Sequence, residues 1–156
     1  MSQQSGEQEE STMSVSPNVE VMREIFAAIE LRDAGRFAEL VHPDAELHWP
    51  PSLPYGGSTR GPEPGGPTWG KTWLPLQPGH DERRMDPRIV AASEDEVVVL
   101  WRQRGLSPSG ERIDSQVLGL YRLRDGRLVR GQMFYFDPAG VSEFLAAASR
   151  LEPAPA

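Results

Sequence analysis

Residues 111–148, ERIDSQVLGLYRLRDGRLVRGQMFYFDPAGVSEFLAAA, leave the chain little freedom in how to fold. Two apolar-alternating runs flank Asp125-Gly126, a pair that tolerates positive φ at both central positions of a tight turn, so the stretch predicts a β-hairpin. Asp137 can accept hydrogen bonds from the free N–H groups of a helix start. Pro138 fits the first helical turn, where no N–H is needed. Val141, Phe144, Leu145 and Ala148 recur at helical spacing, which turns one face of that helix back onto the sheet.

The rest of the chain supplies the other layer. Residues 1–15 have the composition of a disordered tail, and 150–156, with EPAPA at the end, form a second one; the single domain is expected over 16–149. Ser16-Pro17 predicts a capped helix start, followed by the stripe Met22, Ile25, Phe26 and Ile29. Gly35 is expected to break this helix near Asp33-Ala34. A short helix with Phe37, Leu40 and Val41 follows, ended by His42 before Pro43. Residues 44–49 alternate as a half-buried strand with Ala45, Leu47 and Trp49 on one face.

Six prolines and six glycines between Pro50 and Gly70 forbid a long regular element there, although 55–60 can pair as a short strand. A short helix is expected over 68–74, with Trp69 and Trp73 one turn apart. Two long strands follow at 82–93 and 96–105, joined by an acidic turn at Glu94-Asp95, and 105–110 is the turn into the opening hairpin. Helices segregated from antiparallel strands make the class α+β: one curved sheet closed by amphipathic helices around a pocket.

Composition narrows the function. The 156 residues suit one domain with a single core, at 38% hydrophobic and 25% charged content. A formal charge of -7 argues against a nucleic-acid surface. The absence of cysteine excludes disulfides, thiolate metal sites and cysteine nucleophiles. The polar, acidic N-terminus has no apolar core of a secretory signal, and no run is long enough for a membrane span, so a soluble, cytoplasmic protein is expected.

Three passages resemble the nuclear transport factor 2-like superfamily, and within it the SnoaL-like branch. They are NVEVMREIFAAIE (18–30), AGRFAELVHPDAE (34–46) and YRLRDGRLV (121–129), with YFD (135–137) opening the last helix. The resemblance spans about residues 17–148. It implies a cone-shaped half-barrel with a deep apolar pocket, commonly a homodimer through the outer sheet face. Relatives include polyketide cyclases, limonene-type epoxide hydrolases and ketosteroid isomerases, besides many members without catalysis.

The chemistry of those relatives does not transfer residue by residue. The resemblance puts their last-strand acid at Met133 or Phe134, neither of which moves a proton. Arg102 fits the arginine of the epoxide hydrolases' Arg-x-Asp pair, but Arg104 replaces the aspartate. Their tyrosine and asparagine match Leu47 and Trp49, while the isomerases' base falls at Trp49 and their neutral acid near Gly119.

Other residues could do chemistry instead. Arg102 and Arg104 are two apart on a strand and share a face; on the pocket side they would form a fork for a carboxylate, enolate or phosphate, and at a strand end they would be solvated or paired. Asp114, withdrawn into a closed pocket, would become a better base; the structural alternative is cross-strand pairing with Arg102 or Arg104. The imidazole of His48 suits proton transfer at neutral pH, though strict alternation places it opposite Leu47 and Trp49. His42, Asp44, Glu46 and His48 alternate in the manner of metal ligands on one strand face, but match no established ligand motif, so neither metal nor cofactor is expected.

The aromatic set is the positive signal. Trp49, Tyr55, Trp69, Trp73, Trp101, Phe134 and Phe136 come from elements that would surround one cavity, and Gln132 shares a face with Phe134 and Phe136. A tightly filled core has the same composition. Tyr55, Tyr121 and Tyr135 can each donate a hydrogen bond to a ligand oxygen or serve an ordinary core or rim role. Two readings follow. One is a cyclase-, isomerase- or hydrolase-type enzyme on an apolar, polyketide or aromatic substrate, with Arg102 and Arg104 on an oxygen and Asp114 or His48 carrying the proton. The other is a non-catalytic ligand-binding or dimeric accessory protein.

Overall fold

The computed structural model describes residues 16–62 and 75–151. Helix α1, Pro17–Glu30, starts as expected: Ser16 is extended, and its Oγ accepts the Asn18 N–H at 3.1 Å. Its stripe buries Met22, Ile25 and Phe26. The break falls earlier than Gly35. Arg32 adopts left-handed backbone (φ 58°), and Gly35 lies inside the next helix, α2, Ala34–Leu40. The reason is the cap: Asp33 accepts the Arg36 N–H at 3.0 Å and starts the new helix before the glycine is reached.

Strand β1, Val41–Trp49, follows without a loop, three residues ahead of the expected start. Pro43 forces extended backbone on His42, which suits a strand as well as it ends a helix. The ladder slips around the proline: Val41 lies opposite Leu128 and Glu46 opposite Arg130, so the extra residues bulge out and no ladder N–H is asked of Pro43. Strand β2, Gly57–Arg60, turns back along β1.

The strand expected over 82–93 is split. His80–Arg83 (α3) forms one helical turn, Asp86 has φ 46°, and the strand proper is β3, Arg88–Ala92. Pro87 has no N–H for the ladder and restricts Asp86, so regular pairing starts only after it. Beyond the 94–95 turn, β4, Glu96–Leu106, pairs without a slip against β5, Arg112–Arg124. Asp125 (φ 53°) and Gly126 (φ 75°) close the hairpin onto β6, Arg127–Tyr135. Asp137 then accepts the Gly140 N–H at 2.9 Å at the head of α4, Pro138–Leu151. Both features match the sequence reading of 111–148. The expected helix over 68–74, with Trp69 and Trp73, lies outside the described residues.

The sheet runs β2-β1-β6-β5-β4-β3, with β1 and β6 parallel and every other pair antiparallel. The class is α+β, with an unclosed sheet and helices on its concave side. Alternation divides the strands cleanly. Ala45, Leu47 and Trp49, then Val97, Val99, Trp101 and Gln103, then Val117 and Tyr121, then Met133 and Tyr135 point inward and are buried. Leu120, Phe134 and Phe136 point outward and stay exposed, at 36%, 51% and 62%. No helix among the described residues is long and apolar enough to cross a membrane.

Candidate functional site

A cavity of about 390 Å³ opens between α1, α2 and the inner face of the sheet. The helical stripe predicted from sequence makes one wall: Met22, Ile25, Phe26 and Ile29, continued by Phe37 of α2. The opposite wall comes from the sheet, through Leu47 and Trp49 of β1, Trp101 of β4, Tyr121 of β5, and Leu128 and Met133 of β6. Flat rings are set among the aliphatic side chains: Phe26 meets Trp101 at 6.0 Å between centroids and Tyr121 edge-on at 6.1 Å. Among the described lining residues, the ionisable side chains are Arg32, Asp33 and Tyr121.

Tyr121 is the polar group set into the apolar wall. The Trp101 Nε1–H donates to its Oη at 2.9 Å. With that lone pair engaged, the phenol's own proton has no acceptor among the described residues. Burial pushes this phenol above its ordinary titration range, so it is a neutral donor at physiological pH. Gly119 makes the geometry possible. A Cβ there would collide with the hydroxyl and ring of Tyr121, which fold back over the glycine.

A second polar cluster lies behind Trp49. Tyr55 Oη and Tyr135 Oη are 2.6 Å apart, and Tyr55 donates to Gln103 Oε1 at 3.2 Å, which makes Tyr135 the donor to Tyr55. These three side chains do not line the cavity. They brace it: Tyr55 packs edge-on against Trp49 at 5.6 Å, and Tyr135 meets Trp101 at 6.5 Å. Burial, the largest cause, raises the titration of both phenols.

The other sequence-nominated groups lie elsewhere. Arg102, Arg104 and Asp114 share the outer face. Arg102 Nη1 bonds Asp114 Oδ1 at 3.1 Å, and Arg104 reaches Asp114 Oδ2 at 3.4 Å and Asp86 Oδ2 at 2.8 Å, with a further bond to the Arg84 carbonyl. The hydrogen bond from Arg104 holds the Asp86 carboxyl below the usual range. The cross-strand pairing weighed for Asp114 is therefore present, and the fork points away from the cavity. His48 also faces outward, its Nδ1 2.9 Å from Ser58 Oγ. In the alternating series, His42 Nδ1 accepts the Asp44 N–H at 3.0 Å, and Glu46 lies 3.7 Å from Arg60.

Of the proposed lining, Trp49 and Trp101 reach the cavity, whereas Gln132, Phe134 and Phe136 occupy the outer face of β6 and its extension. The inward residue of that strand is Met133, one of the two positions matched to the relatives' acid. Sequence reasoning overlooked Arg32 and Asp33 because they sit in an inter-helix turn that looked like a mere connection. It named Tyr121 without distinguishing it; Gly119 two residues earlier was the available signal.

The comparisons agree with this architecture. The model of the SnoaL-like domain family matches residues 22–131. Bal32a, from a soil-derived mobile gene cassette, superposes with a TM-score of 0.68 at 20% identity, covering 83% of this chain and 96% of that one. TerC, co-crystallised with polyporic acid, gives 0.64 at 22% identity over 84% and 99%. A protein described as a SnoaL-like polyketide cyclase, from Jannaschia sp. CCS1, gives 0.60 at 19% identity over 88% and 94%. At these identities the likeness is one of fold. No curated protein matches the chain in sequence.

Proposed function

This chain belongs to the SnoaL-like domain family, and on that footing we propose that it binds a small, ring-bearing apolar molecule through one acceptor oxygen held by the Tyr121 hydroxyl. The observation that carries this reading is the Trp101–Tyr121 pair: an uncommitted phenol proton set in a wall of rings. A hydrogen bond made there is strengthened by the apolar surroundings and by the donation from Trp101 into the same oxygen. Flat walls select flat ligands; the phenol fixes which end enters first.

Calorimetric titration with tetralone and with tetralin, its hydrocarbon counterpart, tests the reading. Tetralone should bind about tenfold more tightly, as one well-made buried hydrogen bond allows. The preference should vanish in Tyr121→Phe. Equal binding of the two by the unaltered protein would remove Tyr121 from the site.

A cyclase- or isomerase-type reaction is the second reading, favoured by Asp33, the one carboxylate on the lining among the described residues. Asp33 Oδ1 caps α2, and its other oxygen would take a proton from the carbon beside a ligand carbonyl, leaving the electron pair on that carbonyl's oxygen. Exchange of tetralone's α-protons in deuterated buffer, lost in Asp33→Asn, separates this from binding alone. We further propose that the outer face pairs two copies of the chain, on the strength of the exposed Leu120, Phe134 and Phe136.

A further inference from the structure

Where the α1–α2 turn meets the cavity, two cations share one backbone acceptor. Arg32 Nη2 donates to the Gln77 carbonyl at 2.8 Å, and Arg83 Nε is 3.4 Å from the same oxygen. Two guanidiniums are thus gathered at one acceptor, each with most of its donor fork left over. Arg32 lines the cavity; Arg83, half-buried, stands beside it.

Neither arginine has a carboxylate within 4.0 Å among the described residues. The neighbouring acids are committed elsewhere. Glu30 accepts the Met85 N–H at 2.6 Å, Asp33 caps α2 through the Arg36 N–H, Glu82 pairs with Arg112 at 3.1 Å, and Asp81 faces His80 at 3.7 Å.

The arrangement is costly in three respects. Arg32 as a whole is exposed, but its guanidinium is partly covered and feels the charge of Arg83, both of which lower its titration. Arg32 and Gln77 both hold left-handed backbone, at φ 58° and 57°. The Gln77 side chain is fully buried with neither its oxygen nor its nitrogen partnered among the described residues. Left-handed backbone and two like charges meet at the Gln77 carbonyl, and the unmet hydrogen bonding of the Gln77 side chain lies buried beside them.

We propose that Arg32 and Arg83 form an anion clamp at the cavity mouth, and that the ligand is an amphipathic organic acid: a ring-bearing apolar body with a carboxylate at the end remote from Tyr121. This rests on the reading of the cavity as a ligand site and adds the chemical class of the ligand. Its apolar body would displace water from the walls while its anionic end removes the repulsion between the two guanidiniums. Planar forks suit a carboxylate because each can donate two parallel N–H bonds.

The test compares tetralin carboxylate with tetralin carboxamide, two probes of the same shape, by calorimetry on the full chain. The carboxylate should bind about tenfold or more tightly, since hydrogen bonds to a charged group are the stronger kind. In Arg32→Gln and in Arg83→Gln the carboxylate should fall toward the amide's affinity while the amide holds its own, which also certifies that each variant is folded. Added salt should weaken only the carboxylate. Equal binding of both probes by the unaltered protein, or variants that keep the carboxylate preference, would overturn the clamp while leaving the cavity reading standing. Failure of both probes to bind would bring down the cavity reading and the clamp with it.

Discussion

Trp101 and Tyr121 lie on neighbouring strands, and the indole N–H of the first donates to the phenol oxygen of the second at 2.9 Å. The bond satisfies the indole's only donor in a buried place and orients the ring of Tyr121 over Gly119. It therefore joins structure to binding: the contact that closes the core also frees the phenol proton. Tyr121→Phe removes the acceptor and leaves the Trp101 N–H buried and unpaired. That should cost about 1–3 kcal/mol, read as a shifted urea midpoint at unchanged slope. A midpoint equal to that of the unaltered protein would show that the bond does not form in solution.

Gly119→Ala probes the same contact from the opposite side. The added methyl would occupy the space of the Tyr121 hydroxyl and ring, and the flanking strand backbone cannot yield easily inside the β4–β5–β6 ladder. The expected destabilisation is about 1–3 kcal/mol, the usual cost of overpacking. Tyr121 should also be displaced from Trp101, visible as a change in near-ultraviolet circular dichroism. A neutral Gly119→Ala would mean that the ring has somewhere else to go.

The three tyrosines of the chain, Tyr55, Tyr121 and Tyr135, give a pH prediction with a definite sign. All three are buried, and burial raises the titration of each above the ordinary phenol value of about 10. A group with a raised folded-state value holds its proton more tightly when folded. Its contribution to stability is full below about pH 10 and is lost as pH rises beyond it. Phenolate absorbance near 295 nm, a wavelength of about that value for any tyrosine, should therefore not appear around pH 10 while the chain is folded. It should emerge at higher pH together with loss of circular dichroism. Phenolate formed near pH 10 in a folded protein would place at least one tyrosine at the surface.

The hairpin and its capped helix were legible because local chemistry decides them. Asp125-Gly126 admits one kind of turn, and Asp137-Pro138 one kind of helix start. The inward face of β1 followed from alternation, and the same alternation set His48 on the opposite face, against its nomination as a proton carrier. Alternation groups residues by face but leaves the choice between two faces to hydrophobicity. Gln132, Phe134 and Phe136 defeated that choice: they look like a wall and lie outside, while Met133 and Tyr135 are the buried pair. The arginine fork was misplaced for a related reason. Gln103, fully buried between two arginines, reads as the least apolar of the inner positions, and only its bond with Tyr55 shows why it is there. Arg83 was legible as part of a basic cluster with Arg84 and Arg88 that could suit a small anion, but its pairing with Arg32 was not, since a carbonyl far from Arg32 in the chain brings them together.

Phe134 supplies the last prediction. A phenylalanine 51% exposed at the middle of a sheet, opposite Leu118, diagonal to Leu120 and with Phe136 two residues on, carries apolar surface that water does not favour. A second copy meeting it face to face would bury the patch on both chains at once, the self-complementary geometry of a two-fold dimer. On the same face Arg102, Arg104, Asp86 and Asp114 neutralise one another and Arg122 pairs with Glu96, which leaves Arg130 as the cation a second copy must accommodate. Light scattering should give a mass near twice 17.3 kDa. Phe134→Glu, placing like charges across the two-fold axis, should return the single-chain mass without changing circular dichroism, since the side chain takes no part in the core. A single-chain mass for the unaltered protein at micromolar concentration would refute the pairing, and the exposed ring would then need another explanation.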